Sequence, residues 1–237
     1  MKLLIIKTGT TVPEVRAQRG DFDDWIKERI GLSSAQTEVI EVYQGASLPN
    51  PTDVDGVIVT GSSAMVTDQD AWSEQTADWL RDAVGQGRPI LGICYGHQLL
   101  AHALGGIVGA NPNGREIGTV DVTLTNEAEN DPLLGHLGTP VTVHATHRES
   151  VLALPQGAQR LGYSQLDSVQ AFRVGDRVWG VQFHPEFDAD IIRGYVHARR
   201  QALLEEGLNP EQLLQDVRDS PHGEMLLQRF YSLVRQL

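Results

Sequence analysis

The sequence predicts an α/β protein with an open, mostly parallel twisted sheet, helices on both faces and a small antiparallel β segment. Two observations support this prediction. Short apolar runs, which are typical of buried strands, alternate with segments of helical periodicity up to about residue 105. From residue 107 to residue 183 the pattern changes to short strands separated by turns. The alternation favours parallel order in the first half of the chain.

The individual elements follow from apolar spacing and from turn residues. Strands are predicted at residues 3–6, 37–43, 56–60 and 90–93, and helices at 21–30, 71–84 and 95–104. Shorter strands are predicted at residues 120–124, 141–143, 169–174 and 178–183, with a hairpin turn at 173–177. Residues 188–237 predict two or three helices, with breaks at 207–210 and 220–221. We expect one domain over residues 1–237, with a core to about residue 190 and a helical C-terminal extension at 191–237.

The composition narrows the possible partners and the compartment. Nineteen Lys and Arg residues against 31 Asp and Glu residues give a net charge of −12, which repels nucleic acid and anionic membranes. The only cysteine, Cys94, can form no internal disulfide. The apolar run after Met1 stops at Lys7, too early for a signal peptide or a membrane span. We expect a cytoplasmic protein that binds a small molecule, without nucleic acid or membrane partners.

Cys94 is the first candidate for chemistry. It lies between a predicted strand and a predicted helix, and Gly92 and Gly96 bracket it. Such a corner needs glycines because its backbone is crowded, and it points the side chain into open space. The helix N-terminus behind Cys94 favours negative charge, so the thiol is biased toward the reactive thiolate.

A cysteine nucleophile needs a base, and the base needs a group that orients it. His184 lies at the end of a strongly apolar predicted strand, and Glu186 follows two residues later. In extended backbone, residues two apart point the same way, so Glu186 can reach the ring of His184 while Pro185 stiffens the segment. The sequence therefore predicts a Cys94–His184–Glu186 triad.

These residues lie in segments that resemble a known family. Gly-Ile-Cys-Tyr-Gly-His-Gln-Leu-Leu at 92–100 and Val-Gln-Phe-His-Pro-Glu at 181–186 resemble the two signature blocks of class I glutamine amidotransferases. The resemblance is closest to the glutaminase domain of GMP synthase, and it covers residues 1 to about 190 in order. Further segments similar to the family's pattern are Glu-Ile-Gly at 116–118, Thr-His-Arg-Glu-Ser-Val at 146–151 and Val-Gln-Ala-Phe at 169–172.

The resemblance implies a flavodoxin-like class I amidotransferase architecture and a glutaminase reaction without a cofactor. The Cys94 thiolate would attack the side-chain amide of glutamine or of another γ-glutamyl compound. His184 would protonate the departing ammonia, and water would then release glutamate from the thioester. The histidines of the sequence show no metal-ligand spacing, so no metal is expected either.

The resemblance also implies roles for residues around the thiol. The backbone N–H of Tyr95 and the turn at Gly61 and Ser62 would form the oxyanion hole. Gln98 would contact the substrate glutamine from the helix that follows Cys94. His147 would lie beside the same pocket through its loop.

The sequence departs from the family pattern at two loops. The oxyanion turn usually reads Gly-Gly-Pro, whereas here it is Gly61-Ser62-Ser63, and the Ser62 hydroxyl becomes a candidate substrate contact. Arg148 replaces a small glycine after His147. This arginine either narrows the glutamine site or pairs with a carboxylate on a larger γ-glutamyl substrate.

Three functional interpretations remain open from the sequence. No Gly-x-x-x-x-Gly-Lys-Ser/Thr loop or ATP-pyrophosphatase segment occurs in these 237 residues. We therefore expect either a glutaminase subunit that serves a separate synthetase or a free-standing γ-glutamyl peptidase. A non-enzymatic redox or stress protein on a related scaffold is the third interpretation, and the intact His-Pro-Glu block counts against it.

Overall fold

The computed structural model describes residues 2–33 and 35–236. The described strands are β1 (Leu3–Lys7), β2 (Thr37–Glu41), β3 (Gly56–Val59), β4 (Ile90–Ile93), β5 (Ile107–Ala110), β6 (Glu116–Leu124), β7 (Val141–His147), β8 (Glu149–Ala153), β9 (Gln159–Tyr163), β10 (Ala171–Val174) and β11 (Val178–Val181). The described helices are α1 (Pro13–Arg19), α2 (Phe22–Ile30), α3 (Ala71–Gly85), α4 (Tyr95–Ala103), α5 (Ala189–Ala198), α6 (Arg200–Glu205), α7 (Pro210–Gln215) and α8 (Pro221–Val234).

One mixed sheet organises the molecule, with the strand order β2-β1-β3-β4-β11-β10-β9-β6-β7. Strands β2, β1, β3, β4 and β11 pair in parallel. The remaining four strands continue the sheet in antiparallel order. Strands β5 and β8 form a separate antiparallel pair. The predicted α/β class, with a largely parallel sheet, helices and a smaller antiparallel part, is confirmed.

The parallel half of the sheet buries an apolar layer on each face. Because successive strand residues point to opposite faces, Leu3 and Ile5 enter the layer beneath α2 and α8. Leu4 and Ile6 enter the layer beneath α3 and α4. This double burial explains why β1 is a continuous apolar run.

A third apolar cluster joins the C-terminal extension to the start of the chain. Val15 of α1 packs with Ile192 and Tyr195 of α5, and Phe22 and Phe187 belong to the same cluster. Helix α5 therefore lies beside the segment that follows β11, where the predicted site residues are found.

Several boundaries differ from the sequence prediction for local reasons. The helix predicted at 21–30 begins at Phe22, because the Asp21 side chain caps it. The strand predicted at 37–43 ends at Glu41, where the chain turns into a short 3₁₀ segment, Val42–Gln44. The prediction misses α1, β5, β8 and β9. The predicted extension includes residue 237, which lies outside the described residues, as do residues 1 and 34.

Membrane insertion through a helix has no support in the described part of the chain, because no helix there combines the length and apolarity needed to cross a bilayer.

Candidate active site

Cys94 forms a strained corner between β4 and α4. Its φ of 51° lies in the left-handed region that residues other than glycine rarely adopt. The corner is so tight that a Cβ at Gly96 would lie 2.5 Å from the carbonyl oxygen of Val59, and one at Gly92 would collide with the Gly96 carbonyl. The Cys94 N–H donates to the carbonyl oxygen of Val181 at 2.9 Å, which fixes the corner to β11.

His184 lies next to this corner because β11 runs parallel to β4 in the sheet. Its backbone N–H donates to the carbonyl oxygen of His144 at 2.8 Å. Its Nδ1–H donates to Oε1 of Glu186 at 2.7 Å, and both side chains are buried. The Cys94 thiol lies near enough to the imidazole for each group to shift the pKa of the other, and its Sγ lies 3.9 Å from the carbonyl oxygen of Thr146. The structure thus brings together the three side chains predicted to act as a triad.

The charges of this cluster favour an ion pair. Burial raises the pKa of the Cys94 thiol, but the positive charge of His184 and its hydrogen bond outweigh burial and hold this pKa below its ordinary value. Burial lowers the pKa of His184, but the negative charges of Glu186 and Cys94 raise it to about 10. The lowered pKa of Cys94 and the raised pKa of His184 both favour a thiolate paired with an imidazolium near neutral pH.

The residues predicted for the oxyanion hole lie around the thiol. Tyr95 is the first residue of α4, where a backbone N–H has no acceptor inside its own helix. Gly61 lies just after β3 and packs against the imidazole. A Cβ at this position would lie 2.7 Å from Cε1 of His184. The Ser62 hydroxyl donates to the carbonyl oxygen of Thr8 at 2.8 Å and accepts from the Ala64 N–H at 3.1 Å, so it fixes its own loop.

A cavity of about 110 Å³ opens beside the thiol. The predicted residues that line it are Ser62, Tyr95, Gln98, His147 and Arg148. The Gln98 amide nitrogen donates to the carbonyl oxygen of Glu149 at 2.7 Å and to Oε1 of Gln182 at 3.0 Å. Its N–H groups are therefore occupied, and its Oε1 is the group left to accept a hydrogen bond from a ligand.

The surroundings of His147 favour a positive charge on its imidazole. Its Nε2 lies 2.9 Å from a carboxylate oxygen of Glu116, and its Nδ1 lies 3.0 Å from the carbonyl oxygen of Glu149. Both partners only accept hydrogen bonds, so both ring nitrogens donate. Burial lowers the pKa of His147, but the hydrogen bond and charge of Glu116 outweigh burial and raise it. This charge in turn contributes to lowering the pKa of Cys94.

Sequence reasoning gives no role to several further residues of the cavity, among them Thr146 and Arg199. Arg199 follows α5 in the helical extension and belongs to no motif, so no sequence signal marks it. Thr146 stands out only as part of the loop that resembles the family. Glu149 of the same loop also has no predicted role, although its carboxylate accepts from the Val66 N–H at 2.9 Å and from the Thr67 hydroxyl.

Metal-ligating clusters and two other buried histidines are further candidates for a role around this site. Across residues 2–33 and 35–236, no group of three or more His, Cys, Asp and Glu side chains could hold a metal ion. Burial lowers the pKa of His97 to about 4 and that of His144 to about 4, so both are neutral and act in packing.

Solved structures show the same fold. The chain matches a glutamine amidotransferase from Thermotoga maritima with a TM-score of 0.78 and 22% identity, covering 100% of this chain and 99% of that one. It matches a glutamine amido transferase from Methylobacillus flagellatus with a TM-score of 0.72 and 23% identity, covering 98% and 94%. The architecture is therefore that of the class I glutamine amidotransferases.

The family follows from the sequence comparison. Residues 19–193 match the family model described as glutamine amidotransferase class-I, and the chain belongs to this family. It is 37% identical over 147 residues to a glutamine-hydrolyzing GMP synthase subunit of Natronomonas pharaonis, covering 62% of this chain and 73% of that protein. It is 25% identical over 186 residues to gamma-glutamyl peptidase 3 of Arabidopsis thaliana, covering 75% and 74%. The resemblance predicted from the motifs is confirmed, and the chain is an enzyme of the glutamine amidotransferase type.

Proposed function

We propose that the chain hydrolyses the amide bond of a γ-glutamyl group, that of glutamine included, through a thioester on Cys94. One observation carries the proposal: the only thiol of the sequence lines a cavity and lies close to the buried, hydrogen-bonded His184–Glu186 pair. The directions of the pKa shifts favour the thiolate, which is the nucleophilic form of cysteine.

In the first half-reaction, the Cys94 thiolate attacks the γ-carbonyl carbon of the substrate. The carbon–nitrogen bond breaks, and the leaving nitrogen takes a proton from the His184 imidazolium. A γ-glutamyl thioester and a neutral imidazole remain. Because Nδ1 of His184 is bound to Glu186, its Nε2 is the atom that transfers the proton.

In the second half-reaction, the neutral His184 removes a proton from a water molecule. The water oxygen attacks the thioester carbonyl, and the carbon–sulfur bond breaks to return the Cys94 thiolate and release glutamate. The imidazolium is restored. The cycle consumes one water and releases one glutamate and one amine, which is ammonia when the substrate is glutamine.

Neighbouring groups bind the substrate and stabilise the oxyanion. The N–H of Tyr95 and the turn at Gly61 and Ser62 donate to the oxyanion, and one such donor typically contributes a factor on the order of 10²–10³ in rate. Gln98 accepts from the substrate ammonium through its free Oε1, and Arg148, which lines the cavity, pairs with a substrate carboxylate.

Two physiological settings are supported by the relatives. Gamma-glutamyl peptidase relatives support a free-standing hydrolase, as does the His184–Glu186 hydrogen bond that is already formed in this chain. Relatives named as glutamine-hydrolyzing GMP synthase subunits support a second candidate, an enzyme that delivers ammonia to a separate synthetase. In either setting we propose a cytoplasmic enzyme, because a lone free thiol suits a reducing compartment.

The test of the proposal is hydrolysis by the purified chain and by its Cys94→Ala variant. Glutamate release from glutamine and from γ-glutamyl peptides should be measured, with mass spectrometry of the protein to detect a γ-glutamyl adduct on Cys94. We expect turnover and an adduct only with the thiol present. Activity of Cys94→Ala above about one-hundredth of the wild-type value would contradict covalent catalysis.

A further inference from the structure

The thiol and the imidazole line two different cavities. Cys94 lines the cavity of about 110 Å³ described above. His184 lines a second cavity of about 390 Å³, which continues past Phe22 and Tyr195. The residues that line both cavities are Ser62, Ser63, Thr146 and Arg199. The two cavities therefore lie on either side of this shared group.

The chemistry of the proposed reaction assigns a part of the substrate to each cavity. A general acid must come within hydrogen-bonding distance of the nitrogen that it protonates. The γ-glutamyl group consequently lies in the Cys94 cavity, and the leaving amine lies in the His184 cavity. Ammonia needs only a fraction of about 390 Å³, and this volume falls in the range of small-molecule sites. The second cavity thus has room for a much larger amine.

Arg199 gives this cavity a chemical preference. Its Nε is buried without a hydrogen-bond partner, and within the described ranges no carboxylate forms an ion pair with its guanidinium. Arg115, by contrast, is bound by both carboxylate oxygens of Glu206, at 2.6 and 2.8 Å. Arg199 instead rests over the ring of Tyr195, 5.7 Å from its centroid. Because this Nε is buried without an acceptor, the guanidinium favours an anionic ligand.

Two neighbouring features support the same preference. The Thr146 hydroxyl, at the junction of the cavities, is also buried without a hydrogen-bond partner. The charges of Arg115 and Arg148 act unfavourably on the guanidinium of Arg199, because like charges repel. A bound carboxylate relieves this repulsion. Arg148 lines only the cavity of the γ-glutamyl group, whereas Arg199 lines both cavities, and neither arginine has a carboxylate partner in the described chain.

We propose that the leaving group of the substrate is an amino acid or short peptide whose free carboxylate binds Arg199. The chain is then a γ-glutamyl peptide hydrolase that prefers a leaving group with a carboxylate over one without it. This inference rests on the proposed function, because it identifies the substrate class of the same site. Arg199 acts as a specificity residue that binds the leaving group, and the chemistry at Cys94 is unchanged.

The experiment compares γ-glutamylglycine with γ-glutamylglycinamide, which lacks the free carboxylate. The measured quantity is the ratio of kcat/KM for the two substrates, in the wild type and in Arg199→Gln. Intrinsic differences between the leaving amines cancel when ratios are compared between proteins. We expect the ratio to fall about 10-fold or more in Arg199→Gln, the lower end of the contribution of a hydrogen bond to a charged group. Arg199→Lys keeps the charge and should retain part of the ratio.

Arg200→Gln is the matched control. Arg200 is the next residue along the chain, but it is exposed and pairs with Glu211 outside both cavities. This variant should keep the wild-type ratio. Thermal unfolding of all variants checks that the fold is retained. If Arg199→Gln does not fold, the comparison of Arg199→Lys with the wild type provides the test.

The outcomes separate this inference from the proposed function. Equal ratios in the wild type, Arg199→Gln and Arg199→Lys overturn the carboxylate subsite and leave γ-glutamyl hydrolysis standing. Absence of hydrolysis of both compounds and of glutamine overturns the proposed function. In that case, calorimetric binding to Cys94→Ala, with and without Arg199→Gln, decides the subsite without turnover. Tighter binding of γ-glutamylglycine that depends on Arg199 supports the subsite, and equal affinities for the two compounds refute it.

Discussion

The imidazole of His184 stacks on the phenyl ring of Phe187, with ring centroids 4.1 Å apart and planes inclined by 15°. Phe22 stacks on the imidazole as well, with centroids 5.8 Å apart. The aromatic rings fix the plane of the imidazole, and the hydrogen bond to Glu186 fixes its rotation. Because burial excludes water and disfavours charge, the imidazolium depends on the negative charges of Glu186 and Cys94.

The dependence of the thiol on His184 gives the first prediction. In His184→Gln, burial remains while the positive charge is removed, so the pKa of Cys94 should rise above its ordinary value. The rate of alkylation by iodoacetamide against pH measures this, because Cys94 is the only cysteine in the sequence. The wild-type midpoint should lie below the ordinary value of about 8.5 for a free thiol. Identical midpoints in the two proteins would show that His184 does not act on the thiol.

Removal of the Glu186 charge gives the second prediction. Glu186→Gln keeps the shape of the side chain but removes a charge that raises the pKa of His184. We expect kcat/KM to fall on the order of 10²-fold or more, the scale of general acid–base catalysis. The reaction requires the imidazolium, which is lost as the pH rises through the pKa of His184. The alkaline limb of the pH profile should therefore shift to lower pH in this variant. A variant with an unshifted limb speaks against the proposed role of Glu186.

The buried pair of His147 and Glu116 makes stability depend on pH. Because the folded pKa of His147 is raised, its contribution is complete below the unfolded pKa of about 6.5. It is lost as the pH rises through the folded value. Glu116→Gln should destabilise the protein by about 1.5–3 kcal/mol at pH 6, and the difference from the wild type should shrink at alkaline pH.

Glu74→Gln is the matched control for this pair. Glu74 lies 2.9 Å from His102, but both side chains are partly exposed, so the change should cost less than about 1 kcal/mol. Free energies of unfolding from urea titrations between pH 6 and pH 9 provide the measurement. A cost for Glu116→Gln that is constant over this range would contradict a charged His147.

The extent to which the sequence could predict this site follows from where each residue lies. Cys94 and His184 end short apolar strands that carry local motifs, so the sequence identifies both. Their contact depends on β4 and β11 being neighbours in the sheet, although 84 residues separate Ile93 from the start of β11 at Val178. No motif marks Arg199, because only the packing of α5 against α1 brings it to the cavity.

The prediction misses some helices and strands for equally local reasons. Helix α1 has seven residues and buries only Val15, so it shows no helical periodicity. Strand β5 is short and buries no residue, so it lacks the alternation that predicts a half-buried strand. Their positions are set by the neighbouring elements more than by their own sequences.

Gly61 gives a prediction about steric space at the imidazole. A Cβ at this position would lie 2.7 Å from Cε1 of His184, so Gly61→Ala must displace either the turn or the imidazole. We expect kcat to fall at least about 10-fold, since both acid–base catalysis and the oxyanion turn depend on this spacing. Gly85→Ala is the control, because a Cβ there meets nothing within 4 Å. Steady-state kinetics of both variants measure the effect, and equal kinetics would remove the steric argument.

The activity of the isolated chain is the final prediction, and it separates the two physiological settings. The Thr8 hydroxyl lies 3.0 Å from the carbonyl oxygens of both Thr60 and Gly61, which fixes the proposed oxyanion turn without any partner. Because the His184–Glu186 hydrogen bond is also formed in this chain, we expect the purified protein to hydrolyse γ-glutamyl compounds alone and without ATP. The measurement is kcat with and without ATP over a panel of γ-glutamyl amides and peptides. An enzyme that requires a synthetase should be slow alone and accelerate sharply with its partner. A kcat below about 10⁻² s⁻¹ on every compound, against a median near 10 s⁻¹ for enzymes, would reject the free-standing hydrolase in favour of the ammonia-delivering partner of a synthetase.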